Sequence, residues 1–71
     1  MTGKYYVALL YDGEYDLITR VDWKSKEWYS DKGEKALELS QKEARELMRA
    51  LAIHGVLAAV LEVASWYTLV N

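Results

Sequence analysis

Two runs of the chain, residues 4–10 and 15–23, are rich in Tyr, Val, Leu and Ile, side chains that suit a pleated surface. Between them stands Tyr11-Asp12-Gly13-Glu14. Asp-Gly flanked by such runs predicts a two-residue hairpin loop of type I′, in which both central residues need positive φ. Tyr11 should then pair with Glu14, Leu10 with Tyr15, Ala8 with Leu17 and Tyr6 with Thr19. Alternation places Tyr6, Ala8, Leu10, Tyr15, Leu17, Val21 and Trp23 on one face, a coherent apolar set predicted to look into the core. The opposite face carries Tyr5, Val7, Leu9 and Ile18, diluted by Asp16, Arg20 and Asp22. It is more apolar than a plain solvent face requires, and so hints at association.

Residues 23–28, Trp-Lys-Ser-Lys-Glu-Trp, read as a second reversal leading into a short third strand over residues 27–30. Asp31-Lys32-Gly33-Glu34 is a turn, and residues 35–39 read as an extended segment with Leu37 and Leu39 on one side. Ser40-Gln41-Lys42-Glu43 matches a capping box, in which the Ser40 hydroxyl and the Glu43 carboxylate each accept from the other's amide. Ala44, Leu47, Met48, Leu51 and Ala52 follow at helical spacing. Gly55 suits the residue after a helix C-cap, so the helix should span residues 41–54. Beyond it, good helix formers would allow the helix to continue, but Gly55 interrupts the pattern and no polar stripe follows. A buried strand over residues 57–63 is the reading adopted. Residues 66–70 form either a further strand or a continuation after a bend at Ala64-Ser65.

The pattern predicts one α+β domain over residues 1–71: an antiparallel sheet of about four to five strands with one α-helix packed on one face, in the order β-hairpin–β–β–α–β. Leu47, Met48 and Leu51 are expected to meet Ala8, Leu10 and Leu17, with Leu57, Val60, Leu61 and Val63 contributing to the centre. At 71 residues, a single core is marginal and commonly needs a staple, a metal or a partner. There is no cysteine, which removes disulfides and thiolate metal sites. From Ala50 onward the only formal charge is Glu62. That apolar third is central core, a surface shared with another chain, or both, and a homo-oligomer is the expected outcome.

Charge excludes more than it suggests. The net charge is −2, and the basic residues between Lys24 and Arg49 are interleaved with Glu27, Asp31, Glu34, Glu38, Glu43 and Glu46. That is a solvated surface, not a phosphate-binding stripe. The apolar stretch between Arg49 and Glu62 is too short for a membrane span of about 20 residues. The N-terminus lacks the layout of a signal peptide, so a cytoplasmic protein without a membrane partner is expected.

Candidate chemistry is sparse. Asp12, Glu14 and Asp16 alternate like the opening ligands of a calcium loop, but Leu17 and Trp23 stand where such a loop needs Gly and a bidentate Glu. They read as turn and edge residues, and no metal site is assigned. His54, the single histidine, falls at a helix C-terminus, where a capping role is expected over general base work. No serine sits in a Gly-x-Ser-x-Gly setting, and there is no phosphate-binding glycine loop. No catalytic residue and no cofactor is therefore assigned.

Six Tyr and three Trp stand without a single Phe. Tyr and Trp join an apolar body to a polar tip, which suits interfaces. The candidate interface comprises Tyr5, Val7, Leu9, Tyr11 and Ile18 with Trp66, Tyr67 and Leu69 from the tail. Tyr5, Tyr11 and Tyr29 could stack on bases, yet acidic residues outnumber Lys4 and Arg20 around them, which disfavours a nucleic-acid partner.

Tyr5-Tyr6-Val7, Asp12-Gly13-Glu14-Tyr15, Trp23, the run Lys35-Ala-Leu-Glu-Leu-Ser-Gln-Lys-Glu-Ala44, and Ala59-Val-Leu-Glu-Val63 together give a layout that resembles small uncharacterised proteins of bacteriophages and prophages. In those, an opening hairpin precedes a strand ending in a Ser/Thr-x-x-Glu-Ala helix start, and a final strand follows. Residues 64–71 depart from that layout. The resemblance implies a phage accessory protein that binds a host protein, and it implies no active-site residues. The expected function is a non-enzymatic, self-associating protein-interaction module. The alternatives are a single-stranded nucleic-acid binder using exposed Tyr and Trp, and a structural subunit of a phage assembly.

Overall fold

The computed structural model describes residues 4–63. Its elements run β1 (Tyr5–Tyr11), β2 (Glu14–Leu17), β3 (Arg20–Asp22), β4 (Glu27–Tyr29), α1 (Gln41–Ile53) and β5 (Ala58–Glu62). The chain is α+β and every strand pair is antiparallel. The five strands do not share one sheet. They form a three-stranded sheet in the order β2-β1-β5 and a separate two-stranded sheet, β3-β4.

The opening hairpin has the expected register, with Tyr11 opposite Glu14, Leu10 opposite Tyr15 and Ala8 opposite Leu17. Asp12 and Gly13 take φ of 46° and 82°, the doubly left-handed turn that only Asn, Asp and Gly enter at low cost. The second strand does not continue to Trp23, and Tyr6 never meets Thr19. The amide of Ile18 still donates to Val7 O at 2.8 Å, but that of Thr19 donates to Tyr29 O at 2.8 Å. The chain thus changes partner between two consecutive residues. Thr19 anchors the new course: its hydroxyl donates to Asp31 Oδ2 at 3.0 Å and accepts from the Asp31 amide at 2.9 Å. The β3-β4 reversal is closed by Asp22 Oδ1, which accepts from the amides of Lys24 and Ser25, an Asx turn.

The extended segment before the helix forms an isolated bridge between Leu39 and Tyr5, and the Leu37 amide donates to Ile18 O at 3.0 Å. Leu39 is thereby delivered into the core. The capping box is formed: the Glu43 amide donates to Ser40 Oγ at 3.2 Å and the Ser40 amide to Glu43 Oε1 at 2.9 Å. At the other end the Gly55 amide donates to Ala52 O and the Val56 amide to Leu51 O. That pair of bonds, with Gly55 at φ 72°, is a Schellman ending. Val56 then folds onto the core cluster that contains Leu51. Ser40→Ala removes one of two reciprocal caps and is expected to cost about 1 kcal/mol, read as a lower urea midpoint at unchanged slope.

The core is Val7, Leu9, Ile18, Leu39, Ala44, Leu47 and Leu51, with Trp23, Trp28, Leu37, Met48 and Val56 among the residues packed around it. This inverts the predicted facing of the hairpin. Leu47, Met48 and Leu51 meet Val7, Leu9 and Ile18, not Ala8, Leu10 and Leu17. Two physical reasons decide it. Compact aliphatics can be enclosed without leaving a polar atom behind, whereas enclosing Tyr6 and Tyr15 would require partners for two hydroxyls. In addition, Arg20 and Asp22 belong to the second sheet, so the face of Val7 and Leu9 is not diluted by them. Asp16 sits on edge strand β2 and reaches water.

The strand after the helix is present, but its residues do not fill the centre. Leu57, Val60 and Leu61 are exposed. Among the described residues β5 pairs with β1 alone, so no described strand shields its other flank. Its C-terminal end is tied down where the Val63 amide donates to Lys4 O at 2.9 Å.

Candidate interaction surface

Directly opposed residues of an antiparallel pair project to the same side of a sheet. The observed registers therefore place Tyr6, Ala8 and Leu10 of β1, Tyr15 and Leu17 of β2, and Ala59 and Leu61 of β5 on a common side. None of these belongs to the core cluster. None carries a charge. The exposure is graded: Ala8 is fully buried, Leu17 is 37% exposed, Leu61 47% and Tyr15 64%. The centre of this side is closed and its rim is open. On the other side of the same sheet, Val7 and Leu9 are enclosed by α1.

The residues expected to form an interface are thus dispersed. Val7, Leu9 and Ile18 are core. Tyr5 is half-buried and packs on that core. Tyr11 is exposed, at the hairpin end. Trp66, Tyr67 and Leu69 lie outside the described residues. Of the apolar set expected to face inward, Tyr6, Ala8, Leu10, Tyr15 and Leu17 share one side but face away from the core cluster, whereas Val21 and Trp23 part from them and pack against that cluster. One signal that distinguishes the two sides is the position of the tyrosines on the hairpin: Tyr6 and Tyr15 both fall on the uncharged side, whereas the other side carries Val7 and Leu9, with Tyr5 at its margin.

A second concave feature is an open cleft of about 360 Å³ between α1 and the β3-β4 hairpin. Val21, Trp23, Leu47, Ala50 and Ile53 line it together with Lys26, Glu46, Arg49 and His54. His54 is the C-cap residue, and its ring lies 5.4 Å from that of Trp28. Among the described residues no Ser, Thr or Cys lines the cleft beside His54. Among the described residues no group of three or more His, Cys, Asp or Glu side chains converges as a metal site would require. No described helix is long and apolar enough to cross a membrane.

Arg20 and Tyr29 make local contacts with acidic neighbours on the charged surface. The Arg20 guanidinium stacks 3.9 Å above the Tyr29 ring and lies 3.8 Å from Asp31. The Tyr29 hydroxyl donates to Glu27 Oε2 at 3.2 Å, and this bond, together with the Glu27 charge, raises the Tyr29 pKa. A raised folded-state value favours the neutral phenol. Its contribution is present below the ordinary tyrosine value and is lost as pH climbs through the raised one. Glu27→Gln is expected to bring the Tyr29 titration down toward that ordinary value, seen as phenolate absorbance appearing at lower pH.

Comparison of the chain with protein-family models, with curated proteins and with solved structures finds no match in any of the three.

Proposed function

We propose that this protein is a non-enzymatic protein-interaction module that docks through the uncharged side of its three-stranded sheet. With the helix on one face, the other is left to a partner. The observation that carries the reading is that side's composition: seven residues from three strands, none charged, with Tyr15, Leu17 and Leu61 standing open at the rim. Apolar surface gathered in one place favours burial against another protein, and half-exposed tyrosine is a preferred contact residue. Such a side meets a second copy of itself without like-charge repulsion, so a two-fold homodimer is its simplest complex. The layout shared with small phage proteins supports a role as a phage accessory protein acting on a host factor in the cytoplasm.

Sedimentation equilibrium of the full chain tests this. Wild type is expected to associate reversibly as its concentration rises, and Tyr15→Lys or Leu17→Lys to remain monomeric while keeping the native circular dichroism spectrum. Association undiminished in both variants would rule out this surface.

A further inference from the structure

The cleft between α1 and the β3-β4 hairpin shares no residue with the docking side of the sheet. We propose that it binds a small apolar monocarboxylate. The hydrocarbon body would lie between Trp23 and Ile53, and the carboxylate would be held by Lys26 and Arg49. The inference goes beyond the docking reading and stands without it.

Three observations carry it. The first is a second stripe on the helix. Glu46, Arg49, Ala50 and Ile53 stand at i, i+3, i+4 and i+7 and all line the cleft, so they share one face. That face is separate from the core residues Ala44, Leu47 and Leu51. Ile53 is 76% exposed there, where a solvated helix end would carry a polar side chain. The second wall is built in advance, because Val21 and Trp23 line the cleft and also pack on the core cluster. The second observation is charge. Lys26 and Arg49 stand against the single carboxylate of Glu46, on a chain whose net charge is −2. Among the described residues neither cation is in an ion pair. The helix end opposes an anion only weakly, since the carbonyls of Ala50, Leu51 and Ala52 accept from the amides of His54, Val56 and Gly55. The third observation is strain. Lys26 takes φ of 62°, a left-handed position that suits Gly or Asn. Backbone strain of this kind gathers where a particular side chain serves a ligand, and here it places an ammonium group at the cleft.

Size and chemistry narrow the occupant. A volume of about 360 Å³ holds roughly a dozen water-sized atoms at about 30 Å³ each, the lower end of small-molecule sites. An inorganic anion would leave Trp23 and Ile53 wet. A neutral hydrocarbon would take nothing from Lys26 and Arg49. A carboxylate on a chain of about eight carbons meets both, and each methylene removed from water strengthens binding by up to about fourfold.

Sodium octanoate, titrated into the full chain labelled with carbon-13 at its isoleucine δ1 methyls, tests the proposal by NMR. The chain has two isoleucines: Ile53 reports on the cleft, and Ile18, fully buried in the core, is the internal control. The Ile53 signal should shift and saturate with a Kd of about 1 mM or below, while Ile18 stays in place. Butanoate should bind at least roughly tenfold more weakly, and octan-1-ol at least about fivefold more weakly. Arg49→Gln should weaken octanoate binding by about fivefold, and Glu46→Gln should tighten it. Lys26→Gly should weaken binding without lowering the urea midpoint, a combination that a lysine serving only the turn would not give. Failure of Ile53 to saturate by about 20 mM octanoate overturns the proposal. Equal binding of octan-1-ol, or unchanged affinity in both Arg49→Gln and Lys26→Gly, overturns it too. Movement of Ile18 together with Ile53 likewise overturns it, because octanoate is then acting on the fold as a detergent.

Discussion

Leu51→Ala is expected to remove roughly 2–5 kcal/mol of stability, the cost of truncating a large aliphatic in an enclosed site. Leu51 is fully buried and carries two tasks at once. Its side chain fills the space between α1, β1 and the junction at Ile18. Its carbonyl accepts from Val56, closing the helix. A single core of this size supplies about 3–5 kcal/mol in total, so the variant should be partly unfolded at room temperature. Chemical denaturation followed by tryptophan fluorescence would show a midpoint displaced to low urea or no folded baseline. A loss below about 1 kcal/mol would mean the core is looser than its burial implies. Leu57→Ala provides the internal control, because that leucine is 68% exposed and its truncation should cost about 0.5 kcal/mol or less.

The second large effect separates the two sides of the sheet. Val7→Asp places a carboxylate in the enclosed core, where no described polar or charged side chain is buried. It should cost roughly 4 kcal/mol or more, or prevent folding. Leu17→Asp, on the other side of the sheet, should cost about 1 kcal/mol, since its rim position leaves the carboxylate in water. Thermal unfolding of the pair gives a direct reading of orientation. Equal tolerance at the two positions, or the reverse order, would contradict the placement of the helix against Val7 and Leu9.

That orientation is also where reading the sequence stopped short. Asp12-Gly13 specified its turn and register because no other residue pair enters that doubly left-handed geometry so cheaply. Ser40 and Glu43 specified the helix start, and Gly55 its end, for equally local reasons. The strand over residues 58–62 was legible from the break at Gly55. Which side of the hairpin faces inward is not a local property. It depends on the partner change at Ile18 and Thr19, which sends Arg20 and Asp22 into a second sheet. It depends also on the bridge from Leu39 to Tyr5, which fixes the side on which the helix arrives. Period-two patterning assumes that a run of strand formers is one strand, and here residues 15–23 are two. The uncharged side was legible only as one apolar face of the hairpin, not as a surface, because the expected interface was drawn from Tyr5, Val7, Leu9, Tyr11 and Ile18 instead. The tail residues of that expected interface, Trp66, Tyr67 and Leu69, lie outside the described residues.

The order β2-β1-β5 bears on how the chain is made. Its central strand pairs on one flank with a neighbour a few residues away and on the other with residues 58–62, separated from it by the whole of β3, β4 and α1. A ribosome releases residues in sequence at about 5–20 per second, so the hairpin emerges seconds before its second neighbour exists. Throughout that interval β1 presents an unpaired row of amides and carbonyls to the crowded interior of the cell. Vectorial synthesis thus leaves the nascent hairpin with an open flank, a site for chaperone capture or for pairing with another growing chain, until residue 62 clears the exit tunnel.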